Sequence, residues 1–179
     1  MKLISVNISL PKEIVYRGKK ITTGIFKKPV QGRVMLRTLN LDGDGQADLR
    51  FHGGPDQAAY VYAVEHYDYW KERLGRDDLD YGQFGENFTT AGLLENEVRI
   101  GDVFRFGGAI VQVTTPRVPC GKLDMRMDDP NFKKKFRASG KSGFYLRVLQ
   151  EGELGAGDEI ELIESDVKQM TVEEMFRSL

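Results

Sequence analysis

The stretch Thr114-Thr-Pro-Arg-Val-Pro-Cys-Gly-Lys-Leu-Asp124 holds the residue types best suited to chemistry. Two prolines stiffen the path out of an apolar, strand-like run, and Cys120 follows at once. A helix starting just after it would place the sulfur near that helix's positive end. Arg117 and Lys122 stand close by. Such cations favour the thiolate, the form that acts as nucleophile or metal ligand. The competing reading is a buried, inert cysteine, the commoner fate of a lone thiol. Flanking by proline, glycine and basic residues, in place of apolar ones, favours the reactive role.

A second set of residues suits an anion. Leu49-Arg-Phe-His-Gly-Gly-Pro-Asp56 follows histidine with two glycines, so backbone N–H groups could converge as a nest, with Arg50 and His52 adding charge or donors. A plain solvated turn is the alternative. The acidic run before it fails as a calcium loop. Counted from Asp42, the positions that need Gly and Glu hold Ala47 and Gly53. His52 and His66 lack a third metal ligand at a suggestive spacing. Lys27, beside Lys28, and Arg147 are further cations, of a kind usually just solvated. Asn87, in Gly85-Glu-Asn-Phe-Thr89, either caps a turn or bonds a ligand. No serine nucleophile elbow, phosphate loop or dinucleotide fingerprint occurs.

These side chains must be positioned by a chain of 179 residues, a length that suits one domain. Lys plus Arg total 26 and Asp plus Glu 27, a balance that argues against a broad nucleic-acid surface or a polybasic membrane anchor. The single cysteine excludes an internal disulfide and an all-cysteine metal site. No apolar run reaches the ~20 residues of a membrane span, and the first ten residues lack the apolar stretch of a signal peptide. The expectation is a cytoplasmic protein.

Short strand-like runs dominate: 3–8, 33–39, 59–63, 103–106, 109–115, 144–149 and 159–163, punctuated by twenty glycines and six prolines. Gly107-Gly108 signals a hairpin. Gly152, Gly155 and Gly157 read as punctuation between the last two runs. Gly101-Asp102 and Gly157-Asp158 both precede strands and read as reused turn chemistry. Helices are expected over 65–74, closed by Gly75, from near Cys120, over 131–137, and from Thr171, where Glu174 completes a capping box. Many short strands and few helices predict a mainly β barrel or sandwich.

Eight pieces in order carry a family resemblance: Thr23-Gly-Ile-Phe-Lys-Lys-Pro-Val30, Gly43-Asp-Gly-Gln-Ala-Asp48, His52-Gly-Gly-Pro-Asp56, Glu65-His-Tyr-Asp-Tyr-Trp70, Gly85-Glu-Asn87, Ile100-Gly-Asp102, Pro116-Arg-Val-Pro-Cys120 and Gly143-Phe-Tyr-Leu-Arg-Val148. Together they resemble the MOSC family, named after the C-terminal domain of molybdenum-cofactor sulfurases, in its YiiM-like branch. The resemblance implies a mainly β fold with a few short helices. Its centre would be a closed β-barrel of mixed topology, like that of pyruvate kinase, over residues 1–165. Residues 166–179 would form a short helical extension, matching only the first helix of a larger C-terminal module.

The resemblance also implies binding of the molybdenum cofactor in a basic cleft. Cys120 would be the molybdenum ligand or a carrier of sulfane sulfur. Lys27, Arg50, Arg117, Arg147, Asn87 and the backbone of His52, Gly53 and Gly54 would hold the pterin and its phosphate. The implied activity is an oxidoreductase acting on N-hydroxylated compounds such as hydroxylaminopurines; the alternative is a non-catalytic carrier of persulfide sulfur or cofactor. Neither an electron-transfer part nor a pyridoxal-phosphate desulfurase part has room here, so a separate reductase or cysteine desulfurase would be the partner.

Overall fold

The computed structural model describes residues 1–47 and 53–179. Twelve strands and four helices are found among them. In chain order they are β1 (Lys2–Ile8), β2 (Lys12–Tyr16), β3 (Lys19–Thr23), β4 (Lys28–Pro29), β5 (Arg33–Leu36), β6 (Ala59–Ala63), α1 (Glu65–Leu74) and β7 (Phe88–Ala91). After them come β8 (Val103–Phe106), β9 (Ala109–Pro116), α2 (Gly121–Met127), α3 (Phe132–Ser139), β10 (Phe144–Gln150), β11 (Gly152–Gly155), β12 (Ile160–Glu164) and α4 (Val172–Ser178).

The main sheet has eight strands in the order β12-β8-β9-β10-β6-β7-β1-β4. Its topology is mixed as expected, with β6 and β7 parallel and the other neighbours antiparallel. Beyond β1, the Leu3 N–H donates to the Asp158 carbonyl at 2.9 Å, and a bridge pairs Lys2 with Glu159 just before β12. Two small sheets, β5 with β11 and β2 with β3, complete the fold.

Alternation across β6 explains how one strand serves two cores. Ala59 and Val61 face the sheet interior with Leu3, Phe88, Phe106, Val111 and Leu146. Tyr60 and Tyr62 point the other way, into an aromatic cluster with Trp70, Phe84, Phe132 and Phe136 beneath α1, α2 and α3. Period-two side-chain direction requires that division. The cluster's one indole is satisfied, since Trp70 Nε1 donates to the Tyr62 hydroxyl at 2.7 Å. Val172 of α4 joins the sheet core, and α4 carries the expected capping box between Thr171 and Glu174.

Local signals translated closely. Gly75 ends α1 in the left-handed conformation, and the Gly107-Gly108 turn joins β8 to β9. The two Gly-Asp turns use one device. Asp102 Oδ2 accepts the Arg99 N–H, and Asp158 Oδ2 accepts the Gly155 N–H, each three residues back.

Several differences arose. The run expected over 33–39 ends at Leu36. Its partner β11 lies in the glycine-rich stretch read as punctuation. A Cβ on Gly152 would come within 2.2 Å of the Gly108 backbone, so here glycine permits strand packing and does not interrupt it. The β2–β3 hairpin was not foreseen; it turns through Arg17 at φ 50° and Gly18 at φ 76°. Nor was β7, whose residues Phe88 and Thr89 directly follow the Gly85-Glu-Asn87 turn. No described helix is long and apolar enough to cross a membrane.

Candidate functional site

Cys120 is the N-cap of α2, on extended backbone, and is partly exposed. The pocket it lines is also bounded by Lys27, Gly53, Tyr60, Asn87, Arg117 and Tyr145. The end of β3 and the Gly45–Ala47 segment line it as well. Chain segments far apart in sequence therefore converge on the one thiol.

Arg117 forms the wall beside it. Its guanidinium lies 4.9 Å from the Tyr60 ring and 5.4 Å from Phe136, and the residue is 6% exposed. Its Nη1 has no hydrogen-bond partner among the described residues. Burial works against the charge, but Tyr60, Tyr145 and Cys120 outweigh it and hold the guanidinium above its ordinary pKa. A buried cation needs compensation, and stacking on aromatic faces supplies only part of it.

The main chain of Arg117 is held too. Its N–H donates to the Gly143 carbonyl at 3.3 Å. The Gly143 N–H in turn donates to Glu95 Oε1 at 2.7 Å, while Glu95 Oε2 is 2.7 Å from His66 Nε2. Burial pushes the Glu95 carboxyl upward, but His66 and the Gly143 N–H prevail and hold it below its ordinary value. His66 thus acts on a carboxylate, and no group of three or more metal-ligating side chains occurs among the described residues.

Lys27 and Asn87 line the pocket but already have protein partners. Lys27 Nζ reaches both Asp44 oxygens, at 2.5 and 2.6 Å, in a pair that is almost fully buried. Burial pushes the ammonium down and Asp44 opposes that. Asn87 Oδ1 accepts the Tyr60 N–H at 3.1 Å, and its Nδ2 donates to Asp44 at 2.9 Å and to the Asn7 carbonyl at 3.3 Å. The pair and the amide tie β6, the loop before β7 and the Gly43–Ala47 segment into the pocket floor.

The Gly85-Glu-Asn87 turn is pinned by Glu86, which is fully buried. Its carboxylate accepts from the Tyr67 hydroxyl, the Gly82 and Phe84 N–H groups and the Thr89 hydroxyl. Burial nevertheless pushes its pKa up.

The remaining expected residues separate. Gly53 lines the pocket at φ 96°, but its N–H donates to Gln57 Oε1 at 3.3 Å. Gly54, at φ 85°, caps the 3-10 turn Pro55–Gln57 and is not among the pocket-lining residues. Arg147 is also outside it, paired at the surface with Asp56 at 2.6 Å. Arg50 and His52 lie outside the described residues. The pocket's Tyr60 and Tyr145 were not singled out from sequence, nor was Asp44 as a partner for Lys27. The Tyr60-Val-Tyr62 alternation was the available signal for the first.

A mixed, mainly β sheet with a basic, aromatic-walled cysteine pocket defines the class, and comparison with known proteins gives the family. The MOSC domain model matches residues 48–161, more than half of the chain, and the protein belongs to the MOSC domain family. It is 47% identical over 171 residues to the uncharacterized protein YflK of Bacillus subtilis, covering 96% of this chain and 77% of that one. The crystal structure of YiiM from Geobacillus stearothermophilus superimposes with a TM-score of 0.81 at 36% identity, covering 98% of this chain and 82% of that one. A Gibberella moniliformis protein named "Reductase" is 34% identical over 158 residues, which make up 87% of this chain but only 28% of that protein.

Proposed function

We propose that the protein holds the molybdenum cofactor in the Cys120 pocket and reduces N-hydroxylated compounds. The observation that carries this reading is Arg117, a nearly fully buried guanidinium with an unpartnered Nη1 on the same pocket as the thiol. That orphaned donor fits an anionic group such as a pterin phosphate, and a thiolate sulfur fits molybdenum as a soft ligand. Cys120 and Arg117 would therefore hold the cofactor, with Gly53 permitting close approach. Lys27 and Asn87 act one step away, by holding the floor on which it would lie. When bound, the group supplies a two-electron redox centre.

The overall reaction balances as R–NHOH plus two electrons and two protons giving R–NH2 and water. The electrons come from a separate donor protein in a reducing cytoplasm. The name of the Gibberella relative supports a reductive role, though this chain matches only about a quarter of that protein. The bridge between Lys2 and Glu159 supports reading the main sheet as a closed barrel.

The test is expression in a host that makes the cofactor, followed by molybdenum and pterin analysis. Wild type should contain both, Cys120→Ala should lose molybdenum, and Arg117→Met should lose most of the pterin. Absence of both from wild type overturns the proposal. Cofactor without turnover of an N-hydroxylated base under a chemical reductant would point to a carrier of cofactor or sulfur.

A further inference from the structure

The segment from Cys120 to Lys141 carries seven cations and three carboxylates, in a chain whose net charge is −1. Two of those carboxylates are engaged locally. Asp124 accepts the Lys133 N–H at the start of α3, and Asp129 pairs with Lys135 at 2.6 Å. Lys122, Lys133 and Lys134 form no ion pair among the described residues, and the latter two are exposed. Phe132 and Phe136 turn inward to the aromatic core, so α3 presents its lysines outward by helical geometry. Phe136 is the residue that packs against Arg117, which puts this basic face one helix away from the Cys120 pocket.

The positive surface continues onto another element. Phe26, just after β3, has Lys12 at 4.7 Å and Arg126 at 5.1 Å from its ring, joining the β2–β3 hairpin to α2. Lys12 is exposed and makes no ion pair among the described residues. Lys122 lines the pocket itself. Cations on three elements therefore stand on segments tied to the pocket through Phe26, Lys122 and Phe136, and exposed like charges held together are costly unless an opposite charge approaches.

We propose that this basic face, Lys12 with Lys133 and Lys134 on elements that adjoin the pocket, is the docking surface for an acidic one-electron carrier protein of the flavodoxin or ferredoxin class. The proposal deepens the reductive reading above and depends on it for the direction of electron flow. Two reduced carriers each give up one electron and are oxidised, which balances one N-hydroxyl reduction. Charge complementarity sets the encounter rate and makes it salt-dependent.

The experiment compares wild type with the triple variant Lys12→Glu, Lys133→Glu, Lys134→Glu, whose positions lie outside the pocket lining. Two donors are used: a reduced acidic flavodoxin, and dithionite-reduced methyl viologen, which needs no protein docking. The variant should lose at least ten-fold in kcat/KM for flavodoxin and most of its salt dependence, with viologen-driven turnover and cofactor content unchanged. Equal flavodoxin-driven rates, or parallel losses with both donors, overturn the docking surface. If neither donor supports turnover in wild type, the reductive reading fails separately. Titration with oxidised flavodoxin then decides the surface, which stands if wild type binds at low salt at least ten-fold more tightly than the variant and falls otherwise.

Discussion

Lys27 and Arg147 look alike as sequence positions, since each is a cation near a segment shared with the family. Their surroundings make opposite demands. Removing Lys27 would leave Asp44 buried without its counter-charge, so Lys27→Met should cost about 3–5 kcal/mol in chemical denaturation. Arg147 pairs with Asp56 in the open, where the same measurement on Arg147→Met should show less than about 1 kcal/mol. Equal effects would mean that the floor network has been misassigned. Arg117 differs from both, because its buried guanidinium packs on aromatic rings and its Nη1 has no hydrogen-bond partner among the described residues.

Among the elements, the corner before β10 links the pocket to the rest of the fold. Gly143 sits at φ 61°, and an added Cβ would lie 2.3 Å from the Val61 carbonyl and 2.7 Å from the Tyr60 ring. Its N–H and carbonyl hold Glu95 and the Arg117 main chain. Gly143→Ala should therefore destabilise by about 3 kcal/mol through overpacking. The denaturation midpoint gives that cost, and reduced pterin retention would report the shift at Arg117. A control at the far end is Thr171→Ala in the α4 capping box, expected to cost about 1 kcal/mol with retention unchanged.

For the whole molecule, two buried carboxylates contribute to the response to acid in opposite senses. Glu95 is held below its ordinary value of 4.5 by His66 and Gly143, against the effect of burial. A depressed carboxylate contributes stability that is present above its unfolded pKa and lost as pH falls through the folded one. Unfolding free energy followed downward from about pH 5 should therefore fall less steeply in Glu95→Gln than in wild type. Glu86 works in the opposite sense. Its raised pKa favours the protonated fold, so its contribution is present below 4.5 and is lost as pH rises through the folded value. An acid limb unchanged in Glu95→Gln would show that the His66–Glu95 pair is not retained in solution.

Much of the fold could be read from sequence because its signals are local. Period-two burial marks β9 and β10, left-handed glycines end α1 and turn β8 into β9, and Thr171 with Glu174 starts α4. Each device lies within a few residues of the conformation it specifies. The chemical character of Cys120's neighbourhood was legible for the same reason, since Pro116, Arg117, Pro119 and Lys122 are its neighbours in the chain. Only the tertiary structure decided which cations are engaged. Lys27 meets Asp44 across 17 positions, and Asp44 meets Asn87 across 43. Arg117 is flanked by Tyr60 and Phe136 from two other elements, and β11 pairs with the distant β5 while the Gly108 backbone leaves no room for a side chain at Gly152. Charge compensation and close packing depend on which distant segment arrives within a few ångströms, and no short window of sequence contains that distance.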